Sequence, residues 1–495
     1  MAQGGGMKSL AKDTVVYGLT NIVSKFLNWL LAPLYIRVLA TSAEYGIVTN
    51  LYAWVSVILV VLTLGLETGL FRFINTSDKP QQVFATCLKV LSVPVLIFLL
   101  VGLTQTQAIA DFLKYPLHPE YVGMFVVIVA LDALMSLPFA YLRYQHKPWR
   151  FAFYKFLFIG LNIFFNLFFL IVCPRLEAAG YALPGWLYRP GMGVGYIFIS
   201  NLLASGIEAL MMLPLFRYGL KGFDRELLPR LARYCGPLVL LGLAGDFNKM
   251  AGQVLIPYLY ADHGEGMTAL GIFGGNLKIS VIMVMFLQAF RFAYDPFVFS
   301  KMKSRDAGQA YTMAMTYFIL FASVIFVGVM YWIDVFKVIV RPDYYSGLVI
   351  VPWMMFSEIL FGIYYNLSVW YKVTDRTYYG ALFAVIGLVV TLTIITLGVP
   401  RYGFIACAWA AVSCNLVMLL LSYVLGQRHH PIAYRTRSDL GILALGALFY
   451  FGGMQIHPES LALTLVLRTL LLLIYIGLAG YFFTPVFTLL RHYRK

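Results

Sequence analysis

Long apolar stretches separated by short polar segments follow one another along most of the 495-residue chain. Most of them reach the length of about 20 residues that an α-helix needs to cross the hydrocarbon layer of a bilayer. The pattern therefore predicts an all-α integral membrane protein with about fourteen transmembrane helices. These helices are expected at about 14–39, 45–71, 83–104, 120–142, 151–173, 194–216, 231–258, 268–298, 309–332, 347–371, 378–398, 403–425, 439–455 and 461–485.

Composition favours a membrane protein over a soluble one. Hydrophobic residues make up 61% of the chain and charged residues 12%, about half of the roughly 25% usual in soluble proteins. The net charge of +15 would suit nucleic acid, but most lysines and arginines lie in alternate inter-helix segments, as the positive-inside rule requires. We therefore expect both termini in the cytoplasm and no nucleic-acid partner.

A second copy of the first helix pair begins about halfway along the chain. Five residues of the first apolar stretch recur 224 positions later, and a lysine and a proline are among them. The pairs are Gly18 and Gly242, Leu19 and Leu243, Lys25 and Lys249, Leu31 and Leu255, and Pro33 and Pro257. Each copy continues through Tyr-Gly-Ile-Val (45–48) or Leu-Gly-Ile-Phe (270–273) and ends on Phe-Arg-Phe. Such repeats are typical of transporters built from two lobes.

Six predicted helices in each copy would insert both lobes in the same direction, as parallel repeats. Between the lobes, Leu227, Leu228 and Leu231 share one face of a polar segment, which we expect to lie along the inner membrane surface with its leucines in the lipid boundary. The predicted domains are a disordered cytoplasmic leader (1–13), an N-terminal lobe (14–217), an amphipathic linker (218–230), a C-terminal lobe (231–426) and a terminal helix pair with a cytoplasmic tail (427–495).

The clearest candidate site residue is a lysine in the middle of the first predicted helix. A charge inside a membrane span costs a few kcal/mol on insertion scales, so it usually faces a cavity or a partner. Lys25 lies between Asn21 and Asn28 at i, i+4 and i+7, which makes one polar stripe on an apolar helix. No acidic residue lies within helical reach of this lysine. We therefore predict that the stripe binds substrate.

The repeated helices of the second copy contain further intramembrane charges. Asp246 and Lys249 lie one turn apart on one helix, and Lys278 follows on the next. A structural ion pair between Asp246 and Lys249 is the alternative to a binding role. Lys278 is equally consistent with a cross-helix partner for Asp246. We include all three among the candidate substrate-binding residues.

Two arginines recur near the ends of the helices in both copies. Arg72 and Arg291 stand at the centre of the two Phe-Arg-Phe motifs, with Glu67 and Asp295 close by in sequence. We predict a gate or interface role for these four residues. Anchoring of long side chains at the membrane surface is the competing interpretation. Arg468 lies outside both predicted lobes, which favours a structural role.

Lysines and arginines in a membrane cleft suit an anion, most naturally a phosphate or diphosphate. No phosphate-cradling GxxxxGK[ST] motif, catalytic triad or paired CxxC occurs in the chain, so we expect neither enzymatic activity, nor a cofactor, nor a metal site. The five cysteines all lie in apolar surroundings.

These segments also resemble a known family. "YGLTNIVSKFLNWLLAPLYIRVLATSAEYGIV" (17–48) and "LGLETGLFRF" (64–73) resemble the opening of bacterial polysaccharide-export flippases of the O-antigen type. "GIFGGNLKIS" (271–280) and "AFRFAYDPFVF" (289–299) resemble the start of that family's second lobe. The family belongs to the multidrug/oligosaccharidyl-lipid/polysaccharide (MOP) exporter superfamily.

The resemblance implies a two-lobed transporter of the bacterial inner membrane. It would move a polyprenyl-diphosphate-linked oligosaccharide to the outer leaflet for lipopolysaccharide or another surface polysaccharide, beside glycosyltransferases and a polymerase. Lys25 and Lys249 match the family's cavity cations, which engage the anionic lipid carrier. Members often have adjacent Asp and Arg in the seventh helix, whereas Asp246 and Lys249 are separated by two residues.

Two other functions remain open at the level of the sequence. A multidrug or metabolite antiporter of the same superfamily would prefer acidic cavity residues, whereas the clearest mid-span charge here is a lysine. A membrane polysaccharide polymerase or ligase would give no reason for a two-lobe repeat. The transporter of an anionic lipid-linked glycan is therefore the preferred hypothesis.

Overall fold

The computed structural model describes residues 3–220, 222–301, 306–456 and 458–483. Within these ranges the chain is helical and contains no β-strand. Contacts along the chain divide it into two compact units, Met1–Gly271 and Ile272–Lys495. The division falls inside one long helix, so the seventh predicted span groups with the first unit, although the sequence repeat pairs it with the second copy.

In its described residues, the first unit has eleven α-helices, a π-helical turn and the beginning of a twelfth α-helix. The helices are α1 (Gln3–Trp29), α2 (Leu31–Val38), α3 (Ser42–Thr63), α4 (Leu66–Ile74), α5 (Pro80–Thr104), α6 (Thr106–Phe112), α7 (Pro119–Tyr144), α8 (Pro148–Leu167), the π-helical turn Phe168–Val172, α9 (Cys173–Ala178), α10 (Gly193–Leu220), α11 (Leu227–Leu259) and α12 (His263–Lys301).

The second unit continues α12 with eight more α-helices and two short 3₁₀ segments among its described residues. They are α13 (Ala307–Tyr331), α14 (Ile333–Phe336), 3₁₀ turns at Lys337–Ile339 and Pro342–Val349, α15 (Ile350–Leu367), α16 (Val369–Val373), α17 (Tyr378–Tyr402), α18 (Ile405–His429), α19 (Thr436–Met454) and α20 (Leu461–Phe483). An apolar core of this unit lies where α12, α13 and α15 pack together.

Twelve helical segments in the described part of the chain are long and apolar enough to cross a membrane. They coincide with twelve of the fourteen predicted spans, which indicates a multi-pass membrane protein. The first and thirteenth predicted spans are helical, but they are not among the twelve. Both helices contain charged residues: Lys25 interrupts the apolar sequence of α1, and α19 begins around Arg437 and Asp439.

The ends of the chain differ from the predicted organisation in detail. α1 begins at Gln3, within the segment predicted as a disordered leader, and a break at Leu30 separates it from α2. Residues 484–495, which include the predicted cytoplasmic tail and the end of the fourteenth span, lie outside the described residues.

The predicted interfacial linker is shorter than expected. α10 ends at Leu220 and α11 begins at Leu227. Leu227 and Leu231 are buried, and a Cβ added to Gly69 of α4 would lie 3.2 Å from Leu231. The prediction that these leucines lie in the lipid boundary is therefore wrong for Leu227 and Leu231, because the apolar face of the helix packs against α4.

α3 and α12 cross in close contact at two glycines from the repeated motifs. A Cβ built on Gly46 would overlap the backbone carbonyl oxygen of Met267, and one built on Gly271 would overlap that of Ser42. Each overlapped carbonyl therefore lies one helical turn before the other glycine. The reciprocal contact requires the absence of both side chains, as in other close crossings of membrane helices. It joins the Tyr-Gly-Ile-Val and Leu-Gly-Ile-Phe motifs directly.

A buried asparagine holds α11 beside α3 in the same unit. The side-chain amide of Asn50 donates to the carbonyl oxygen of Gln253 at 2.8 Å, and its Oδ1 accepts a hydrogen bond from the Tyr115 hydroxyl at 2.8 Å. The Asn50 side chain is fully buried. The buried Asn50 amide is out of reach of bulk water, and these hydrogen bonds to the backbone and to a tyrosine satisfy it instead.

Candidate functional site

The polar stripe of α1 lies on an open face of the helix. Asn21, Lys25 and Asn28 are all exposed, whereas Thr20 and Ser24 on the neighbouring face are buried. α1 packs against α8, and the Asn162 amide of α8 donates to Asn28 Oδ1 at 3.4 Å. The hydroxyl positions of α1 thus face the protein interior, whereas the lysine side chain is accessible, together with the neighbouring Leu19 and Phe26.

The lysine of the second copy is exposed in the same way. Lys249 extends from α11, while Asp246, one turn earlier, is half-buried. Asp246 Oδ2 accepts a hydrogen bond from the Ser56 hydroxyl of α3 at 2.5 Å. α3 therefore positions the carboxylate that the sequence pairs with Lys249. The repeat thus presents an exposed, helical lysine in both copies.

The third candidate lysine lies in the second unit. Lys278 of α12 is half-buried and follows Asn276, which is fully buried. The Asn276 amide donates to the carbonyl oxygen of Tyr344 at 2.8 Å. Asn276 therefore holds the Pro342–Val349 segment against α12, which is a structural role.

The gate candidates of the first copy belong to two separate contacts. Arg143 of α7 forms an ion pair with Glu67 of α4. The Arg72 guanidinium instead lies over the ring of Tyr234 in α11, 4.3 Å from its centroid. Glu67 thus fastens α4 to α7, and Arg72 is oriented by a cation–π contact with α11.

The gate candidates of the second copy form one cluster. The Arg291 guanidinium lies 4.3 Å from the ring centroid of Tyr365, and the Tyr365 hydroxyl donates to Asp295 Oδ1 at 2.5 Å. Lys372 approaches the same carboxylate at 3.6 Å and lies 4.1 Å from the Tyr365 centroid. The arginine of each Phe-Arg-Phe motif therefore stacks on a tyrosine of another helix.

Sequence reasoning singled out neither tyrosine. Tyr234 and Tyr365 are two of 34 tyrosines, and neither belongs to a repeated motif. Only the recurrence of the arginine gave a signal, and that signal does not specify the aromatic partner.

A further polar cluster in the first unit includes two acids that the sequence left without a role. Glu208 of α10 is 4% exposed, and Lys155 acts electrostatically on both Glu208 and Asp132. Nearby, the Asn201 amide donates to the Tyr52 hydroxyl at 2.8 Å. The hydrogen bond joins α10 to α3 through polar groups.

The described residues contain no group of three or more His, Cys, Asp or Glu side chains able to hold a metal ion. All five cysteines are buried free thiols.

No family model and no curated protein matches the chain. Solved structures do match it. An inward closed conformation of the lipid II flippase MurJ is 11% identical, with a TM-score of 0.74 over 95% of this chain and 98% of the flippase. An inward-facing multidrug resistance MATE family transporter of the MOP superfamily is 14% identical, with a TM-score of 0.64 over 82% of this chain and 94% of the transporter. The chain has the fold of these proteins.

An outward-facing MATE transporter of the same superfamily gives a lower TM-score of 0.57, at 14% identity over 84% of this chain and 95% of the transporter. The prediction that the chain has the fold of this superfamily is confirmed. Membership of the polysaccharide-export branch stays a prediction.

Proposed function

We propose that this protein is a flippase of the bacterial inner membrane that moves a polyprenyl-diphosphate-linked oligosaccharide to the outer leaflet. The observation that carries the proposal is the exposed Lys25 between two exposed asparagines on α1. A lysine facing lipid would cost a few kcal/mol, whereas a lysine facing a hydrated cleft is solvated and can bind an anion. Asn21 and Asn28 would supply hydrogen bonds to phosphate or sugar oxygens.

The comparisons support a lipid-linked substrate at the level of analogy. The lipid II flippase shares the fold over a larger part of the chain and with a higher TM-score than the multidrug transporters. In the proposed cycle, two lobes alternate around the cleft, and Lys25 and Lys249 contact the diphosphate. Neutralising the anion would lower the desolvation cost of carrying the headgroup across hydrocarbon.

The remaining predicted residues would support substrate binding or control access. Asp246, held by Ser56, would position the α11 segment that presents Lys249, and Lys278 would supply a further cation on α12. Arg72 with Glu67, and Arg291 with Asp295, would control access at the helix ends. Both termini would lie in the cytoplasm, where glycosyltransferases would supply the substrate, and a polymerase would receive it on the other side.

Replacing Lys25 tests the proposed function most directly. We expect Lys25→Ala to reduce export of surface glycan at least tenfold, since a charge-assisted hydrogen bond contributes about 1.5–3 kcal/mol. Lys25→Arg should retain part of the activity because it keeps the charge. The assay is glycan export in a strain that lacks the native gene, with membrane abundance measured in parallel. Lys79→Ala is the control, since it removes an exposed lysine from an inter-helix segment. Wild-type export by Lys25→Ala would refute the proposal.

Lys249 needs a separate test because of its acidic neighbour. If Lys249 binds the anion, Lys249→Ala should lose export while its abundance remains normal. If Lys249 serves mainly to neutralise Asp246, the single variant should be unstable and the double variant with Asp246→Ala should recover. Recovery of export in the double variant would therefore exclude Lys249 from substrate binding.

A further inference from the structure

Three arginines surround an open pocket where the end of α4 meets the beginning of α11. The pocket has a volume of about 520 Å³. Its lining residues are Arg72, Phe73, Pro229, Arg230, Arg233 and Tyr234. α4 ends at Ile74 and α11 begins at Leu227, so the pocket lies at the same end of two membrane-length segments. It is separate from the mid-helix positions of Lys25 and Lys249.

The arginines of this pocket are available to an anion. All three side chains are exposed, and none forms an ion pair with a described residue. The Arg72 guanidinium lies over the Tyr234 ring, 4.3 Å from its centroid, and this cation–π contact restrains its orientation. Phe73 packs edge-on against the same tyrosine, with ring centroids 6.0 Å apart. An oriented guanidinium loses less entropy on binding than a free one.

The position of Arg230 and Arg233 near the start of α11 strengthens this charge. A helix N-terminus has a partial positive charge and favours anions. The first turn of α11 contains no acidic residue. Glu226 is its N-cap, and Asp224 Oδ1 accepts hydrogen bonds from the backbone amides of Glu226 at 2.9 Å and Leu227 at 3.2 Å. Two arginines are therefore held where the helix alone would favour acids. A bound anion would offset this repulsion.

We propose that the pocket binds the phosphate of a lipid headgroup. Guanidinium groups bind phosphate oxygens through paired hydrogen bonds, and three of them match a group with one or two phosphates. The pocket lies at the end of membrane-length helices, where lipid headgroups meet the protein. The role of the pocket rests on the proposed function: the pocket receives the diphosphate of the carrier lipid before the headgroup enters the cleft. The phosphate of an anionic phospholipid is the other source of the same chemistry.

Lipid binding by purified protein tests the site without any export assay. The protein is placed in nanodiscs of zwitterionic phospholipid and titrated with polyprenyl diphosphate or with phosphatidylglycerol, and bound lipid is measured by native mass spectrometry. We expect the Arg230→Gln/Arg233→Gln variant to bind polyprenyl diphosphate at least tenfold more weakly than the wild type. Arg72→Gln should also weaken binding, whereas Arg72→Lys should retain part of it. Arg225→Gln is the matched control, since it removes an exposed arginine outside the pocket.

The two lipids distinguish the two sources. A preference for the diphosphate that the double variant abolishes supports docking of the carrier, and equal, arginine-dependent binding of both lipids supports a phospholipid site. Unchanged binding of both lipids by the monodisperse double variant would overturn the site. A wild type that binds through these arginines but exports no glycan would refute the flippase and leave the site standing. Normal export together with lipid binding that does not depend on these arginines would refute the site and leave the flippase standing.

Discussion

Replacing Gly46 or Gly271 with alanine should remove most of the folded protein from the membrane. A Cβ at either position overlaps a backbone carbonyl oxygen of the other helix, and a backbone cannot move aside as a flexible side chain can. α3 and α12 would have to separate along the crossing. Overpacking of a tight contact typically costs about 1–3 kcal/mol, and here the new methyl group also disrupts the reciprocal contact. We expect lower membrane abundance and a lower thermal unfolding temperature for each variant.

Two other helical glycines provide matched controls. Gly160 of α8 and Gly206 of α10 have no atom within 4 Å of an added Cβ. Alanine at those positions should be neutral or slightly stabilising, since glycine is about 0.5–1 kcal/mol less favourable than alanine inside a helix. The measurement is fluorescence-detected size-exclusion chromatography of all four variants before and after heating. Equal stability of Gly46→Ala, Gly271→Ala and the controls would contradict the proposed close crossing.

These glycines show how far a sequence repeat predicts structure. The repeat identified Tyr-Gly-Ile-Val and Leu-Gly-Ile-Phe as equivalent segments, and both form helices as predicted. It could not predict that Gly46 and Gly271 contact each other. Internal similarity reports common local structure, whereas a contact between the copies depends on the packing of complete helices.

In the candidate site too, the sequence predicts which residues share a helix face but not which residues of other helices they contact. Periodicity along α1 was sufficient to predict one polar face for Asn21, Lys25 and Asn28, because helical geometry relates those positions directly. The partners of Arg72 and Arg291 lie far along the chain on other helices. No local pattern marks those tyrosines, so only the structure could identify them.

The prediction of fourteen membrane spans stays unconfirmed for α1 and α19, whose sequences contain charged residues as well as apolar ones. Twelve spans have long, uninterrupted apolar windows, and the structure supports all of these as candidates. α19 is helical as predicted, but its first turn contains Arg437 and the buried Asp439, which accepts a hydrogen bond from Thr316 at 2.7 Å. Part of that helix thus packs through polar contacts with α13.

Arg468→Met should destabilise the protein by about 3 kcal/mol or more, the usual cost of removing one member of a buried charge pair. The Arg468 side chain is 1% exposed, and its guanidinium donates to Asp334 Oδ2 at 3.2 Å. It also donates to the backbone carbonyl oxygens of Tyr331, Gly453 and Ile456 at 3.1–3.4 Å. These bonds fasten α20 to the ends of α13 and α19. Methionine would fill the space but leave the carbonyl groups without donors.

The pH dependence of unfolding separates this ion pair from simple packing. Burial alone would raise the pKa of Asp334, but the hydrogen bond and charge of Lys337, together with Arg468, hold this pKa below its usual value. A lowered pKa stabilises the folded state above the unfolded-state value of about 4, and this contribution is lost as the pH falls through the folded-state pKa. Asp334→Asn should therefore flatten the decline in unfolding temperature below about pH 4, and the exposed control Arg437→Met should leave the decline unchanged.

An unfolding temperature of Arg468→Met equal to that of the wild type at neutral pH would contradict the anchoring role. An apolar side chain cannot replace a guanidinium with four acceptors without loss of stability unless those acceptors bind water.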